Sequence, residues 1–390
     1  MGIMLRRIGI GLATMAAFCA AAGAQHIGKY VPIAAGSDAD HAMQEINAAT
    51  DPAQKLALID KFASGPGQGD MAIVADELYV NYYLSQKNYA KAYEYGDKLF
   101  ALDPDNLSNA VNLVRAASEA GDGEKLMAYG ESASGILKRF NAAPAPAGTA
   151  EDQWKLSKAS ALQSSEDSIR YIEQAVYAGA YQIQDAVKKA GQLAKFAALS
   201  PDSQYANQAL GVAAISYQQA QNVPKMLEVA NGLIAKDPDN LGMLLLLADY
   251  YGEKGEQLDK AETYAKKAAT LADSAPKPEG VSDDDWKKQT TLQKGLALSA
   301  LGQVNLQKKD NATAVTNFQT AAPLLKSNNA SYARNQYRLG YAFLNLKKLP
   351  EAKQAFTESA SVESPYKQYA LDKLKGLPAK APPAARRKTS

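Results

Sequence analysis

The sequence has few of the residues that most often carry chemistry. Its 390 residues include one cysteine, two histidines and two tryptophans, and only 8% are aromatic. His26 and His41 lack the His-x3-His spacing of a zinc helix, and the EF-hand pattern is absent, so we expect no metal. No Ser or Gly fragment has the spacing of a P-loop or a nucleophile elbow. These absences predict a chain that has no catalytic residues and no cofactor, and they argue against an enzyme.

Long apolar runs are equally scarce, and the one at the start of the chain has the form of an export signal. Arg6 and Arg7 precede the stretch "IGIGLATMAAFCAAAG", and "AGA" at 22–24 supplies the small residues of an A-x-A cleavage site. No later stretch is long and apolar enough to span a bilayer. We therefore expect residues 1–24 to be a signal peptide, removed after Ala24, and the mature chain to be secreted or periplasmic.

Two other export routes fit less well. The residues around the arginine pair, "LRRIGI", match the twin-arginine motif poorly, and bulky Phe18 precedes Cys19 where a lipoprotein has a small residue. Cleavage would remove Arg6 and Arg7, which lowers the 43 basic residues to 41, equal to the 41 acidic ones. It would also remove the only cysteine, so the mature chain could form no disulfide.

A tetrapeptide that occurs twice marks the organisation of the rest. Alanine is abundant and β-branched runs are scarce, which favours helices. "DPDN" stands at 103–106 and at 237–240, and Pro104 and Pro238 are 134 residues apart, close to four repeats of 34 residues. Proline cannot continue a helix, and the Asp and Asn that follow can cap the next one. Each copy is therefore predicted to join two helical repeats.

Two repeats near the C-terminus carry the fullest pattern. Counting from 295 and from 333, Leu-Gly falls at positions 7 and 8, and Ala and Phe fall at positions 20 and 24. The small and aromatic residues of this pattern are Gly302, Ala314, Phe318, Gly340, Ala352 and Phe356. The pattern resembles the tetratricopeptide (TPR) repeat, although Trp never fills the tryptophan position. The resemblance implies an all-α fold, a right-handed α-solenoid of antiparallel helix pairs.

The small residues have a packing role in such a pair. Positions 8 and 20 lie where the two helices cross, so small residues let the backbones approach closely. We expect Gly302 to face Ala314 and Gly340 to face Ala352. One pair cannot bury its apolar face alone, so successive pairs must stack.

Seven repeats are predicted, and they divide the chain. They cover 73–106, 107–140, 170–203, 207–240, 241–274, 295–328 and 333–366. The domains that follow are an N-terminal helix pair at 25–70, the solenoid at 71–366, a capping helix at 367–377 and a disordered basic tail at 378–390. The tail has no aromatic residue, and a secreted chain rarely meets nucleic acid, so we expect no nucleic-acid binding.

Two Pro-rich insertions, near 141–153 and 274–285, interrupt the solenoid. Each ends in an acidic run and a tryptophan, Trp154 or Trp286. Thr149 and Ser282 each have capping-box spacing to an Asp, so we expect each insertion to lengthen the helix that follows. Both tryptophans are predicted to anchor the core, with ligand stacking as the alternative.

The TPR resemblance also implies a binding face. In that family, positions 2, 5, 9, 12 and 13 of the first helix line a concave surface for extended peptides, and these positions share one stripe of a helix. Asn81 and Asn112 match two positions of the carboxylate clamp found in some members. Glu77 stands where that clamp needs lysine, which argues against recognition of a chain-terminal carboxylate.

The last repeat offers a second candidate surface. Arg334, Tyr337, Arg338 and Tyr341 place two guanidinium groups beside two phenols, which suits acidic peptides or sugars. We expect both arginines to be exposed. In the alternative, the face is simply solvated and its tyrosines pack on the capping helix.

The sequence therefore predicts an exported, non-catalytic scaffold that binds protein or peptide partners on its concave face. The alternative is a structural protein of the cell envelope that binds cell wall or carbohydrate through tyrosines and the two tryptophan helices. Neither hypothesis requires a cofactor, nucleic acid or a membrane span.

Overall fold

A computed structural model describes residues 27–378 of the chain. The predicted signal peptide, His26 and the tail residues after 378 lie outside the described residues. Within 27–378 there are eighteen α-helices and a single turn of 3-10 helix at Gly69–Met71, and no β-strand. The predicted all-α class is confirmed.

The described residues divide into two compact units, an N-terminal unit that ends at Ala213 and a C-terminal unit that begins at Ala214. The helices that lie wholly in the N-terminal unit are α1 (Asp38–Ala48), α2 (Pro52–Ser64), α3 (Ala72–Ser85), α4 (Tyr89–Leu102), α5 (Leu107–Ala120), α6 (Gly123–Ala142), α7 (Glu151–Ser164), α8 (Glu166–Gln182) and α9 (Ala186–Leu199). Helix α10 (Ala206–Gln219) contains the division.

The C-terminal unit continues the alternation of helices and short turns. Its helices are α11 (Val223–Lys236), α12 (Leu241–Lys254), α13 (Leu258–Ser274), α14 (Asp283–Gln307), α15 (Asn311–Leu325), α16 (Asn329–Asn345), α17 (Leu349–Ala360) and α18 (Lys367–Gly376). Turns of a few residues leave the helices of a pair antiparallel. The first helices of neighbouring pairs also touch, α3 with α5 and α12 with α14, so pairs stack within each unit. This is the arrangement of a TPR-type repeat.

Both copies of "DPDN" end one helix and begin the next. The side chain of Asn106 accepts a hydrogen bond from the backbone N–H of Asn109 at 2.8 Å, and that of Asn240 accepts one from Met243 at 3.2 Å. Each Asn satisfies an N–H that the first turn of a helix leaves without an intrahelical acceptor. The predicted role of the tetrapeptide as a stop and a start is confirmed.

Residues 27–29 pack over the first "DPDN", a contact that the sequence pattern did not predict. The N–H of Lys29 donates to the carboxylate of Asp103 at 2.8 Å, and the N–H of Leu107 donates to the carbonyl of Ile27 at 3.2 Å. Gly28, between them, has φ +122°, and a Cβ there would lie 2.8 Å from the Asp103 carboxylate. The segment at 27–29 therefore fastens the chain ahead of α1 to the turn between α4 and α5.

The close helix crossings are confirmed. A Cβ added to Gly302 would lie 2.6 Å from the ring of Phe318, and one added to Gly340 would lie 2.6 Å from the ring of Phe356. Position 8 therefore lies directly against the aromatic side chain at position 24, which is the nearest contact of each glycine. Ala314 and Ala352 are fully buried beside these rings.

Repeats also join through buried amides. The side chain of Asn109 donates to the carbonyl of Gly96 at 2.8 Å, and that of Asn335 donates to the carbonyl of Phe318 at 2.9 Å. In both cases a residue at position 3 of one repeat reaches position 24 of the repeat before it. The bond uses the second lone pair of a helical carbonyl, so it fixes the register between neighbouring pairs without breaking a helix.

The insertions behave differently from each other. The second lengthens α14 to 25 residues, and the Ser282 side chain accepts from the N–H of Asp285, as predicted. The first produces two helices, because the chain turns at Ser165, and α7 begins after Ala150 without a side-chain cap. The expected single long helix and the Thr149 capping box are therefore wrong.

Trp154 anchors the first insertion. Its indole N–H donates to the carbonyl of Ala143 at 3.0 Å, its ring packs edge-on against Phe140, and it is 9% exposed. The predicted core role is confirmed for Trp154, whereas Trp286 is half-buried. Among residues 27–378, no helix has the length and apolar character that crossing a membrane requires.

The turns inside the helix pairs share a left-handed residue at position 15 of the repeat. Its φ lies between +55° and +70° in six repeats, at Lys87, Gly121, Gln221, Gly255, Lys309 and Lys347. Glycine adopts this conformation without steric cost, but a side chain does not. Four of the six turns therefore hold a strained non-glycine residue.

Gly302→Ala should lower the free energy of unfolding by roughly 1–3 kcal/mol, because the added methyl would overlap the ring of Phe318. Urea unfolding of the parent and the variant measures this difference. Gly191→Ala in α9 is the matched control, since no atom lies within 4 Å of its added Cβ. The control should be neutral or stabilising. Equal effects of the two changes would show that the crossing at Gly302 is not tight.

Lys309→Gly should raise the free energy of unfolding by about 0.5–1 kcal/mol, because relief of the left-handed strain exceeds the added entropy of the unfolded chain. Thermal melts monitored by circular dichroism test this. Lys326→Gly, at a residue with φ −57°, removes a lysine without relieving strain and should not stabilise. An equal rise in the free energy of unfolding of Lys326→Gly would show that loss of the lysine charge, not relief of backbone strain, stabilises the chain.

Candidate functional site

The residues at positions 2, 5, 6, 9, 12 and 13 of each first helix are here called the inner stripe. In the C-terminal unit the inner stripe is closed by ion pairs. Arg334 donates to one carboxylate oxygen of Asp249 at 2.8 Å, and Arg338 donates to the other at 3.1 Å. Arg338 also pairs with Glu253. Two arginines one turn apart on α16 thus meet two acids one turn apart on α12.

These contacts correct the expectation that both arginines are exposed. The side chain of Arg338 is 5% exposed, and those of Arg334 and Asp249 are 24% and 21% exposed. Between α12 and α16, α14 contributes the buried neutral residues Ser299 and Gln303 to the stripe. The arginines therefore reach over a whole intervening helix, and their charges are neutralised within the chain.

The electrostatics of Asp249 follow from this arrangement. Burial raises the pKa of Asp249, but the charges and hydrogen bonds of Arg334 and Arg338 outweigh it, and the pKa lies below its usual value. For Arg334, burial lowers the pKa, but the Asp249 carboxylate and the hydroxyl of Tyr366 together outweigh burial, so the pKa is raised. Both groups are therefore ionised at neutral pH and depend on each other.

The tyrosines of the predicted site belong to the end of the unit. Tyr337 and Tyr341 share a hydrogen bond of 3.2 Å, and the ring of Tyr337 packs against Tyr366 and Tyr369 at centroid distances of 5.6 and 6.4 Å. Burial and the bond to Tyr341 raise the pKa of Tyr337. The ammonium of Lys373 lies 4.9 Å above the ring of Tyr341. Tyr337 and Tyr341 thus pack on the C-terminal helix α18 and its preceding turn, the alternative considered for this face.

In the N-terminal unit several residues of the inner stripe stay at the surface, and one of them, Glu119, accepts a hydrogen bond from the hydroxyl of Tyr89 at 3.1 Å. Asn112 donates to the side-chain carbonyl of Asn81 at 3.2 Å, so the structure brings these two predicted residues together. Beside them Asn81, Leu84, Ser85, Arg115 and Glu119 line a shallow pocket of about 280 Å³. Asn81, Ser85, Arg115 and Glu119 are all exposed. They occupy positions 9 and 13 of two successive repeats, so α3 and α5 present donors and acceptors side by side.

Sequence reasoning missed Glu119 as part of this surface and Asp249 and Glu253 as partners of the arginines. The signal for Glu119 was present, because it falls on a stripe position of the repeat that begins at 107. Asp249 and Glu253 lie two repeats away from the arginines, a distance that stripe positions alone do not connect. His41 is exposed on α1, and residues 27–378 contain no cluster of three side chains that could hold a metal.

Solved structures resemble this chain at low similarity. The APC/C hetero-tetramer Cut9–Hcn1 gives a TM-score of 0.42 and 12% identity, covering 87% of this chain and 63% of that one. Yeast Tom70 gives 0.37 and 12%, covering 92% and 69%, and the P58(IPK) TPR domain gives 0.23 and 12%, covering 87% and 98%. No family model matches the sequence, and no curated relative matches it. The chain thus spans less than two thirds of the first of these structures.

Arg338→Ala should lower the free energy of unfolding by roughly 2–3 kcal/mol, since removal of one partner from a fully buried ion pair costs about 3–5 kcal/mol and Asp249 is partly exposed. Arg115→Ala, at an exposed stripe position, should change it by no more than about 0.5 kcal/mol. Chemical denaturation of the two variants gives the comparison.

The pH dependence of the difference in unfolding free energy between the parent and Arg338→Ala is a second measurement of the ion pair. Because the folded-state pKa of Asp249 is lowered, its contribution is present above the unfolded pKa of about 4 and is lost as pH falls through the folded value. The gap between the parent and Arg338→Ala should therefore narrow below about pH 4. A gap that is absent at neutral pH would contradict the ion-pair geometry.

Proposed function

We propose that the chain is a non-catalytic helical-repeat scaffold that binds protein or peptide partners, and that the partner lies on the inner stripe of the N-terminal unit. One contrast supports this choice of face. In the C-terminal inner stripe the charged residues pair with one another, Arg334 and Arg338 with Asp249 and Glu253. In the N-terminal inner stripe Arg115 and Glu119 are exposed beside Asn81 and Asn112.

The chemistry of this surface suits the backbone of an extended peptide. Side-chain amides supply both a donor and an acceptor, as each peptide group does. The Asn81–Asn112 bond holds these amides in place before binding, which lowers the ordering cost of association. Arg115 and Glu119 stand one turn apart on α5 and would select a segment that carries charges of both signs.

Export is part of the same proposal. It is supported by the arginine pair, the apolar run and the A-x-A site at the start of the sequence. To test export, the protein is recovered from the medium or the periplasm of the producing cells, and its first residue is determined from its mass. A chain that begins at Gln25 supports export, and one that retains residues 1–24 contradicts it.

Partner binding through the N-terminal stripe can be tested by site-specific photo-crosslinking in cells. A photoreactive residue at Ser85 should capture a partner, and the same residue at Lys91, exposed on α4, should not. Capture at Ser85 should fall in an Arg115→Glu background, because a reversed charge removes a contact of roughly 1.5–3 kcal/mol and adds repulsion.

Arg170→Glu is the control for the charge change. Arg170 is an exposed arginine of the same unit that pairs with Glu166 on its own helix. Equal capture at Ser85 and Lys91, or equal loss with both arginine variants, would remove the stripe as the binding face. If the chain captures no protein but binds purified cell wall, the carbohydrate alternative is favoured.

A further inference from the structure

A second pocket lies in the C-terminal unit, away from the inner stripe. Helices α15, α16 and α17 line this half-open pocket, whose volume is about 360 Å³. Its floor is apolar and is formed by Ala322, Leu339, Phe343 and Ala355. Its rim is polar and is formed by Gln319, Glu351, Gln354 and Glu358, and the buried amide of Gln336 also lines it. The lining thus contains two carboxylates and no lysine or arginine.

The hydrogen bonds of Glu358 set the direction of the rim amides. One oxygen of Glu358 accepts from the hydroxyl of Tyr332 at 2.8 Å and from the amide nitrogen of Gln336 at 2.5 Å. Its other oxygen accepts from the amide nitrogen of Gln354 at 3.2 Å. An ionised carboxylate can only accept, so both amides must turn their nitrogens toward Glu358.

Acceptors therefore remain for anything that enters the pocket. Gln336 is 3% exposed, and its amide oxygen is buried without a hydrogen-bond partner. A buried acceptor left in this state costs free energy that a donor would recover. With the carboxylates of Glu351 and Glu358 beside it, the pocket favours a ligand that carries positive charge and donates several hydrogen bonds.

We propose that this pocket binds the side chain of an arginine. The guanidinium has five donors, carries a permanent charge and matches carboxylate geometry, and its aliphatic stem can lie on an apolar floor. A lysine would supply the charge but fewer donors in a fixed plane. The site is separate from the proposed partner surface, so either can fail without the other.

Two sources could supply the guanidinium. One is a basic segment of a partner protein. The other is this chain, since Arg386 and Arg387 follow Pro378, whose carbonyl accepts a hydrogen bond from Lys353 of α17. The eight residues from 378 to 386 can span at most about 29 Å, and α17 with its side chains is about 10–12 Å across, so the pocket is within their reach.

A labelled peptide corresponding to residues 379–390, titrated into the full chain by fluorescence anisotropy, provides the test. Glu351→Gln should weaken binding about three- to tenfold, because it removes a partly solvated charge pair. Ala322→Leu should weaken it at least as much by filling the pocket without changing charge. Glu279→Gln, an exposed acid in the loop before α14, should change binding less than about twofold.

The peptide itself carries a second control. Replacing its two arginines by citrulline keeps the shape of the side chains but exchanges one guanidinium nitrogen for a carbonyl oxygen and removes the charge, and this peptide should lose most of its binding. The proposal is overturned if Glu351→Gln and Ala322→Leu bind the peptide as the parent does, or if the citrulline peptide binds equally well. Melting curves of each variant confirm that the chain is folded.

Substitution of the two arginines in the chain's own tail distinguishes the two sources of the guanidinium. If Arg386 and Arg387 occupy the pocket, the full chain with Arg386→Gln and Arg387→Gln should bind the added peptide more tightly than the parent, because an internal competitor is gone. Equal affinity assigns the pocket to an outside partner. Both results support the pocket, provided that Glu351→Gln and Ala322→Leu weaken the binding.

Discussion

The whole structure depends on how closely helix backbones can approach one another. At Gly302 and Gly340 the absence of a side chain lets an aromatic ring from the second helix lie directly against the first. Each pair so formed still has an apolar side that only a neighbouring pair can cover, and the buried amides of Asn109 and Asn335 set where the neighbour sits. Packing within a pair and register between pairs are therefore fixed by different residues.

With the backbone spacing set in this way, the same stripe of positions differs in exposure between the two units. In the C-terminal unit Arg334 and Arg338 cross to Asp249, and the stripe becomes part of the interior. In the N-terminal unit Asn81 and Arg115 stay at the surface. A repeat fold separates the positions that build the stack from those that face outward, so side-chain choice alone decides whether a stripe is core or binding surface.

The parts of the fold that could be predicted from sequence are those whose causes are local. The spacing of small and aromatic residues identified the helix pairs, and "DPDN" marked two junctions, because capping and crossing act within one repeat. The break between α7 and α8 at Ser165 was not predictable, because no Gly or Pro near it marks the end of a helix. The burial of Arg338 was also missed, because its partners Asp249 and Glu253 are more than eighty residues distant and no periodicity connects them.

The bridge from Arg338 to Asp249 changes how the C-terminal unit can come apart. In most repeat arrays each repeat is coupled only to its immediate neighbours, so unfolding can start at an end and proceed one repeat at a time. Here α12 and α16 are coupled across α14, and α16 cannot leave without removing both arginine partners of the half-buried Asp249 carboxylate on α12. We therefore expect the helices from α12 to α16 to unfold more cooperatively than contacts between neighbouring repeats alone would require.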